Sequence, residues 1–443
     1  MIFSSLNHDL RVPLAAEVHS RPFLHLHGAE AITHLAVYAG NGKPAGAANS
    51  AIQHAFLSSL CAHFGVAAPA AEAKFFFHDF GRFRLKWECH TEFATYTFAQ
   101  RHDAAPAIEE AFDRMPLQHA PQQWLASLQG KIMVATHVAL DGSETPPQEY
   151  ARRLRRVFEG NLLVGSRVLH DAELWTDFLI QADGFSRMVV RDVGLMEQQA
   201  GRLVQRVLEI ETYRMMCLLG LPHAHAATPA LNAIEGELAE LTAAMVATDD
   251  RRDGDSHDDE QELLGRITRL AARLEKLAVD DSYRFSASQA YFRLVQSRIE
   301  ELREERMEGF PTVEEFMDRR LTPAVSTCAA IASRQEALAR RIAQTNDLLR
   351  TRVGIVQERQ NRQILQSMNR RAAQQLKLQQ AVEGLSVAAI SYYVIGLLGY
   401  AGKAAKAAGW PVNPDLLTGL LVPVVAAGVW LGLRRMHRRM HGG

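Results

Sequence analysis

The chain has 443 residues, with 49 Lys and Arg against 50 Asp and Glu, so no overall field draws it to nucleic acid. With 47% apolar residues it can form roughly two or three domains with real cores. Its 4 cysteines (Cys61, Cys89, Cys217, Cys328) are scattered without a CxxC pair, which fits reduced thiols in a reducing compartment.

Near the start, Asn7, His8, Asp9 and Arg11 interrupt any apolar run, so no signal peptide is expected. The first part, 1–193, reads as a mixed α/β domain. Ile32–Ala39 predicts a strand and Ala48–Phe64 a helix. Lys74–Asp79, Arg82–Cys89 and Glu92–Ala99 are β-branched or aromatic runs with very short turns between them, which predicts a meander. Lys131–Leu140 and Leu162–Leu169 add strands on either side of a helix at Pro147–Phe158. Glu173–Gln181 and Phe185–Arg191 flank Ala182-Asp183-Gly184, whose Asp-Gly pair signals a hairpin turn.

From 194 to 310 the pattern is that of a helical layer. Leu203, Val207, Ile210 and Cys217 mark one face of a helix over Glu197–Leu219, which Leu221-Pro222 is expected to stop. Thr228-Pro229 then opens the next helix, with proline where its missing N–H costs nothing. The acidic segment 248–260 holds almost nothing apolar and reads as a flexible hairpin tip between antiparallel helices.

A long stalk helix is expected over 311–384. Pro311-Thr312-Val313-Glu314-Glu315 has capping-box form, and Ile331, Leu338, Ile342, Leu349 and Val356 recur at or near sevenfold spacing. Gln360, Asn361, Gln363 and Gln366 weaken this apolar seam. Two uncharged apolar stretches follow within 385–433, Leu385–Gly402 and Leu416–Leu433, each of a length that approaches the hydrocarbon thickness of a bilayer. Both are expected to span a lipid bilayer. Arg434, Arg435, Arg438 and Arg439 lie in a basic tail, 434–443, that outweighs Lys403 and Lys406 in the connecting loop. The positive-inside rule then places both termini in the cytosol, at the bacterial inner membrane. The expected fold class is an α+β cytosolic domain, a long-helix bundle or stalk and a C-terminal two-helix transmembrane anchor.

Several segments carry a resemblance: His19-Ser20-Arg21-Pro22-Phe23, Lys86-Trp87-Glu88-Cys89-His90-Thr91-Glu92-Phe93, Gly201-Arg202-Leu203-Val204-Gln205-Arg206, Glu211-Thr212-Tyr213-Arg214-Met215-Met216, and 382–393. In these the chain resembles an uncharacterised bacterial family of membrane-anchored proteins with a domain of unknown function. The resemblance spans nearly the whole chain and implies an anchor, without an activity. The order of domains is also similar to the plan of CorA-type magnesium channels. In those oligomers the first crossing lines a pore ending in Gly-Met-Asn, whereas Gly399-Tyr400-Ala401-Gly402 stands here.

Chemistry-bearing candidates are few. Glu88, His90 and Glu92 alternate along a predicted strand and would share a face, where two carboxylates around an imidazole could hold a divalent metal. The other reading is a polar, solvent-facing side of the meander, with Trp87, Cys89 and Phe93 turned to the core. His19 and Arg21 would assist a metal site if the N-terminal segment folded back. His25 with His27 and His223 with His225 form H-x-H pairs without further ligands. Arg202, Arg206 and Arg214 share a helix face and could bind an anion, or pair with Glu209, Glu211 or acidic groups on a neighbouring helix. Ser391, Gly396, Gly399 and Tyr400 make the first crossing smaller and more polar, for packing or for lining a pore. No phosphate loop, nucleophile elbow or zinc motif is present, so no enzyme is expected. Two functions remain: a membrane-anchored scaffold or sensor of unknown ligand, and an oligomeric CorA-like divalent-cation channel. Either is expected to be a homo-oligomer through stalk and membrane helices.

Overall fold

The computed structural model describes residues 7–12, 14–15, 22–26, 28–38, 46–158, 162–196, 198–250, 256–409, 411 and 413–440. The chain divides into two compact units: Met1–Arg251 with Gly265–Asn346, and Arg252–Leu264 with Asp347–Gly443.

The first unit is built on one sheet of nine strands: β1 (Glu30–Tyr38), β2 (Phe75–Asp79), β3 (Arg84–Cys89), β4 (Phe93–Arg101), β5 (Lys131–Asp141), β6 (Val164–Val168), β7 (Ala172–Ile180), β8 (Ser186–Asp192) and β9 (Glu305–Arg306). Their order is β2-β3-β4-β1-β5-β8-β7-β6-β9. The β5–β8 pair is parallel, and the other pairings are antiparallel. Every strand expected from the alternating runs is present. Only β9 lacked a signal, because its two residues are charged and gain their place by pairing with Ser166 and Arg167 of β6.

Helices cover both faces of this sheet. On one face, Leu35, Leu85, Trp87, Tyr96 and Phe98 pack against Phe56, Leu57 and Leu60 of α1 (Gly46–His63) and Trp124 of α2 (Gln122–Ala126). Farther along, Ala139, Trp175 and Val189 meet Tyr150, Leu154 and Val157 of α3 (Pro147–Val157). On the opposite face, Ile32, Val138, Met188 and Val190 pack under α4 (Gln199–Leu218), which presents Leu203, Val204, Val207 and Ile210. Val295 and Ile299 of α6 (Ser256–Leu302) and Val313, Met317 and Leu321 of α7 (Val313–Ala407) complete that core. At ~1.5–3 kcal/mol for each large apolar side chain removed from water, these two cores dominate the folding of the unit.

The helix between α4 and α6 departs from expectation. α4 ends at Leu218, ahead of Leu221-Pro222 as expected, but α5 follows at once and runs from Gly220 to Asp250 with Pro229 inside it instead of at its start. Pro222 falls in the first turn, where no intrahelical N–H bond is lost. The break comes earlier, at Leu219 and Gly220, where a Cβ on Gly220 would stand 2.9 Å from Ser288 Cβ and 3.1 Å from Cys328 Sγ. The acidic tip expected over 248–260 lies partly outside the described residues, between the end of α5 and Ser256.

The capping box forms as read. Glu315 N–H donates to Thr312 Oγ1 at 3.1 Å, and Thr312 N–H donates to the Glu315 carboxylate at 3.2 Å. Glu304 adds a second carboxylate at the same helix start, accepting from the N–H groups of Val313 and Glu314 at 2.9 Å each. From there α7 continues as one helix to Ala407. Ile331, Leu338 and Ile342 of the sevenfold seam are buried, whereas Ile364, Leu365, Leu376 and Leu378 are exposed.

The second unit holds the later part of α7 and α8 (Pro414–Met440). Among the described residues one helix, α7, is long and apolar enough to cross a membrane; its 18-residue window has mean hydropathy 1.7 and is 6% buried. Among the described residues the apolar part of α8 covers Thr418–Gly432, with Pro423 within it.

Gly201 of α4 sits against the carbonyl of Leu24, which a Cβ would strike. Gly201→Ala is therefore expected to cost about 1–3 kcal/mol through overpacking. Gly236→Ala on α5, with nothing within 4 Å, should gain about 0.5–1 kcal/mol. Thermal melting of the two variants checks this; equal melting temperatures would show that α4 has room to move away.

Candidate functional site

Strand alternation and register build a polar layer beneath α4. Even-numbered positions of β1, β3 and, from Val134 on, β5, with odd-numbered positions of β4, point to that side. Pairing aligns Lys86, Thr97, His34, Thr136 and Ser186 in one row across β3, β4, β1, β5 and β8. Glu88, Thr95 and Ala36 form the next row. All of the polar members except Glu88 are buried, and Glu88 is half-buried.

Buried polar groups must find partners, and most of these do so across the row or up to the helix. His34 Nδ1 lies 2.8 Å from Thr97 Oγ1, and its Nε2 lies 3.0 Å from Thr212 Oγ1 on α4. Thr136 Oγ1 and Ser186 Oγ are 2.7 Å apart, and Ser186 donates at 3.4 Å to Glu211. The Lys86 ammonium is 3.3 Å from Glu88 Oε2 and donates to Gln205 Oε1 at 3.2 Å. Gln205 in turn donates to Glu209 at 2.8 Å, and Glu209 pairs with Arg298 of α6. Arg298 also reaches Glu301 at 2.6 Å.

The row ends at a cavity of about 220 Å³. Lys86, Glu88, His90, Thr95 and Thr97 line it from the sheet; Gln205, Glu209 and Tyr213 line it from α4; Arg298 closes it from α6. Leu24, Phe93, Val204 and Leu208 supply an apolar wall. The volume far exceeds the ~15 Å³ needed for one water. Thr95 Oγ1 is buried and has no hydrogen-bond partner among the described residues. The segments 86–93, 201–206 and 211–216, which carried the resemblance noted above, all contribute to this layer or its cavity.

The expected metal triad does not assemble. β3 ends at Cys89, so His90 and Glu92 fall in the turn to β4 and the shared-face premise fails. Glu88 and His90 line the cavity, but Glu92 turns away to pair with Arg284 and accept from Tyr291 at 2.7 Å. Arg284 and Glu92 are both almost fully buried. Among the described residues no group of three or more His, Cys, Asp or Glu side chains is placed to hold a metal ion. The solvent-facing alternative is corrected as well, because α4 covers that side of the sheet. His19, Arg21 and His27 lie outside the described residues. His223 lies on α5 rather than in a loop, 3.3 Å from Asp281, and His225 is exposed.

The arginine face of α4 is committed to neighbours. Arg206 pairs with Glu301 at 2.8 Å, Arg214 pairs with Glu211 at 2.6 Å, and Arg202 lies over the Phe23 ring. Pairing, rather than anion capture, is thus what Arg206 and Arg214 do. On α7, Ser391 is buried while Tyr400 is 75% exposed, and a Cβ on Gly399 would meet Thr418 Oγ1 at 3.6 Å. Gly396 has nothing within 4 Å. At about 100° per residue, Tyr400 lies on the side of the helix opposite Ser391.

A family model matches residues 6–440, and its description reads "Protein of unknown function (DUF3422)". The chain belongs to this family. No curated protein matches it. A solved structure titled "structure of the full-length CmaX protein" is similar at 12% identity, covering 70% of this chain and 91% of that one. Its TM-score is 0.16, too low to carry an argument. For this member of the family, the cavity beneath α4 is therefore read from its own geometry.

The histidines of the sheet give a pH dependence. Burial, with the charges of Lys86 and His90, lowers His34 to about 3, and burial lowers His137 to about 4, both from 6.5. Unfolded imidazoles take up protons below 6.5 that the folded ones refuse. The stability tied to neutral His34 and His137 is thus whole above pH 6.5 and is lost as pH falls toward 4 and then 3. Each contributes up to about 1.4 kcal/mol per pH unit within its window. Melting temperature should fall steeply between pH 6.5 and 4, and His34→Gln should flatten the slope. An unchanged slope in that variant would show that His34 binds its proton as readily in the fold as in the unfolded chain.

Proposed function

We propose that the chain is a membrane-anchored sensor or scaffold whose α+β unit lies in the cytosol and takes a small polar ligand beneath α4. The observation that carries the anchor is the 18-residue window of α7, with mean hydropathy 1.7 and only 6% burial. Leu385, Tyr392, Leu397 and, on α8, Leu416, Leu420 and Val424 are each more than 60% exposed. Such a surface is costly in water and at home in hydrocarbon. The arginines at 434–439 favour an orientation with both termini on the cytosolic side of the inner membrane. The cavity, with its charged lining and orphaned Thr95 hydroxyl, supports the sensor part of the reading. The exposed Ile364, Leu365 and Met368 of α7 suit a homo-oligomer that covers them.

An oligomeric CorA-like cation channel is the weaker reading. The closeness of Gly399 to Thr418 favours packing of α7 against α8, and no Asp, Glu, Lys, Arg or His lies within 385–402 to mark an ion path. Divalent-cation flux into proteoliposomes that Gly399→Leu abolishes would establish the channel instead.

In a background lacking the native cysteines, Ala407→Cys should react with a membrane-impermeant maleimide in intact cells. Gly443→Cys should react only after lysis. The reverse pattern would overturn the orientation, and recovery of the whole chain in the soluble fraction would overturn the anchor.

A further inference from the structure

We infer that the cavity beneath α4 takes a small zwitterion of the α-amino-acid type with an apolar side chain, its carboxylate held by Lys86 and Thr95 and its ammonium by Glu88. This rests on the cavity being a ligand site at all.

Charge balance decides the class. Lys86 and Arg298 are the ammonium and guanidinium of the lining, and Glu88 and Glu209 are its carboxylates. The lining is thus neutral before its imidazoles are counted, although it is rich in charge. A dianion such as phosphate would enter against two carboxylates with no surplus of cations, and burying that uncompensated charge is costly. A purely apolar ligand would leave the polar lining without partners. A molecule with both charges and no net charge meets neither penalty.

Hydrogen-bond capacity points the same way. Lys86 has three N–H donors, of which Glu88 and Gln205 take two. Thr95 carries the orphaned hydroxyl. These two groups lie in adjacent rows of β3 and β4 and can both donate to one carboxylate. Glu88, directly across from Thr95, has one oxygen facing Lys86 and the other available to accept from an ammonium. Two donors beside an acceptor on neighbouring positions match the adjoining charges of an α-amino acid. Leu24, Phe93, Val204 and Leu208 then receive its side chain.

The test is thermal melting of the full chain in detergent with millimolar L-leucine, 4-methylpentanoate or 3-methylbutylamine, which share one apolar skeleton. L-leucine should raise the melting temperature, and the acid and the amine should not. Thr95→Val and Glu88→Gln should each weaken the effect by about tenfold or more. Thr95→Val removes a buried hydroxyl that lacks a partner, so the variant should fold at least as well as the parent. An equal response to the acid alone, or no response to L-leucine, glycine or L-methionine, would overturn the zwitterion. Native mass spectrometry separates this from failure of the site itself. A non-zwitterionic small molecule that co-purifies with the parent and is lost in Thr95→Val keeps the site and refutes the class.

Discussion

His34 joins the two halves of the layer on which this face of the first unit depends. Its ring bonds Thr97 within the sheet at 2.8 Å and Thr212 on α4 at 3.0 Å, with both nitrogens used and the imidazole neutral. An uncharged His34 fixes the height of α4 above β1, and with it the position of Gln205 and Glu209 over β3. Gly201 allows the same helix to approach the Leu24 carbonyl. Together these contacts leave a roofed space beside Lys86 and Glu88 instead of a closed apolar seam.

The layer is an unusual use of a sheet face. Most of the α4 side is filled by Val138, Leu140, Met188 and Val190, as expected of a sheet covered on both sides. One row is polar from β3 to β8, and every strand contributes to it. Buried charges such as Lys86 with Glu88 are weak contributors to stability, because desolvation offsets their attraction. Beside them stand an orphaned hydroxyl and an open volume, the combination on which the proposed ligand site rests.

Eight of the nine strands and the longer helices of the first unit are legible because their signals are local, whereas β9 and α2 are not. Turn residues such as Asp183-Gly184, the alternation in 84–89 and 93–101, and the Thr312/Glu315 box each act within a few residues. The cavity was not legible, for a specific reason. The Lys86, Glu88 alternation is also what a strand facing water shows, and nothing near it announces a covering helix more than a hundred residues later. Arg206 and Glu209 likewise read as an ordinary charged helix face, while their partners, Glu301 and Arg298, come from α6. Glu92 was misplaced by a strand end: once β3 stops at Cys89, its carboxylate swings to Arg284. Pro222 does mark the end of α4, whereas Pro229 opens no helix, because α5 has already begun at Gly220 and accommodates it.

If the charged lining serves a ligand, the fold does not need it. Replacing Lys86 by Met and Glu88 by Leu together tests it most directly, with melting temperature in the absence of added ligand as the readout. Either replacement alone should lower the melting temperature, by leaving the other charge buried without its partner. The pair together should leave it unchanged or raise it. A double variant that melts as low as the single ones would make the Lys86–Glu88 pair a structural element of the sheet and remove the case for a ligand there.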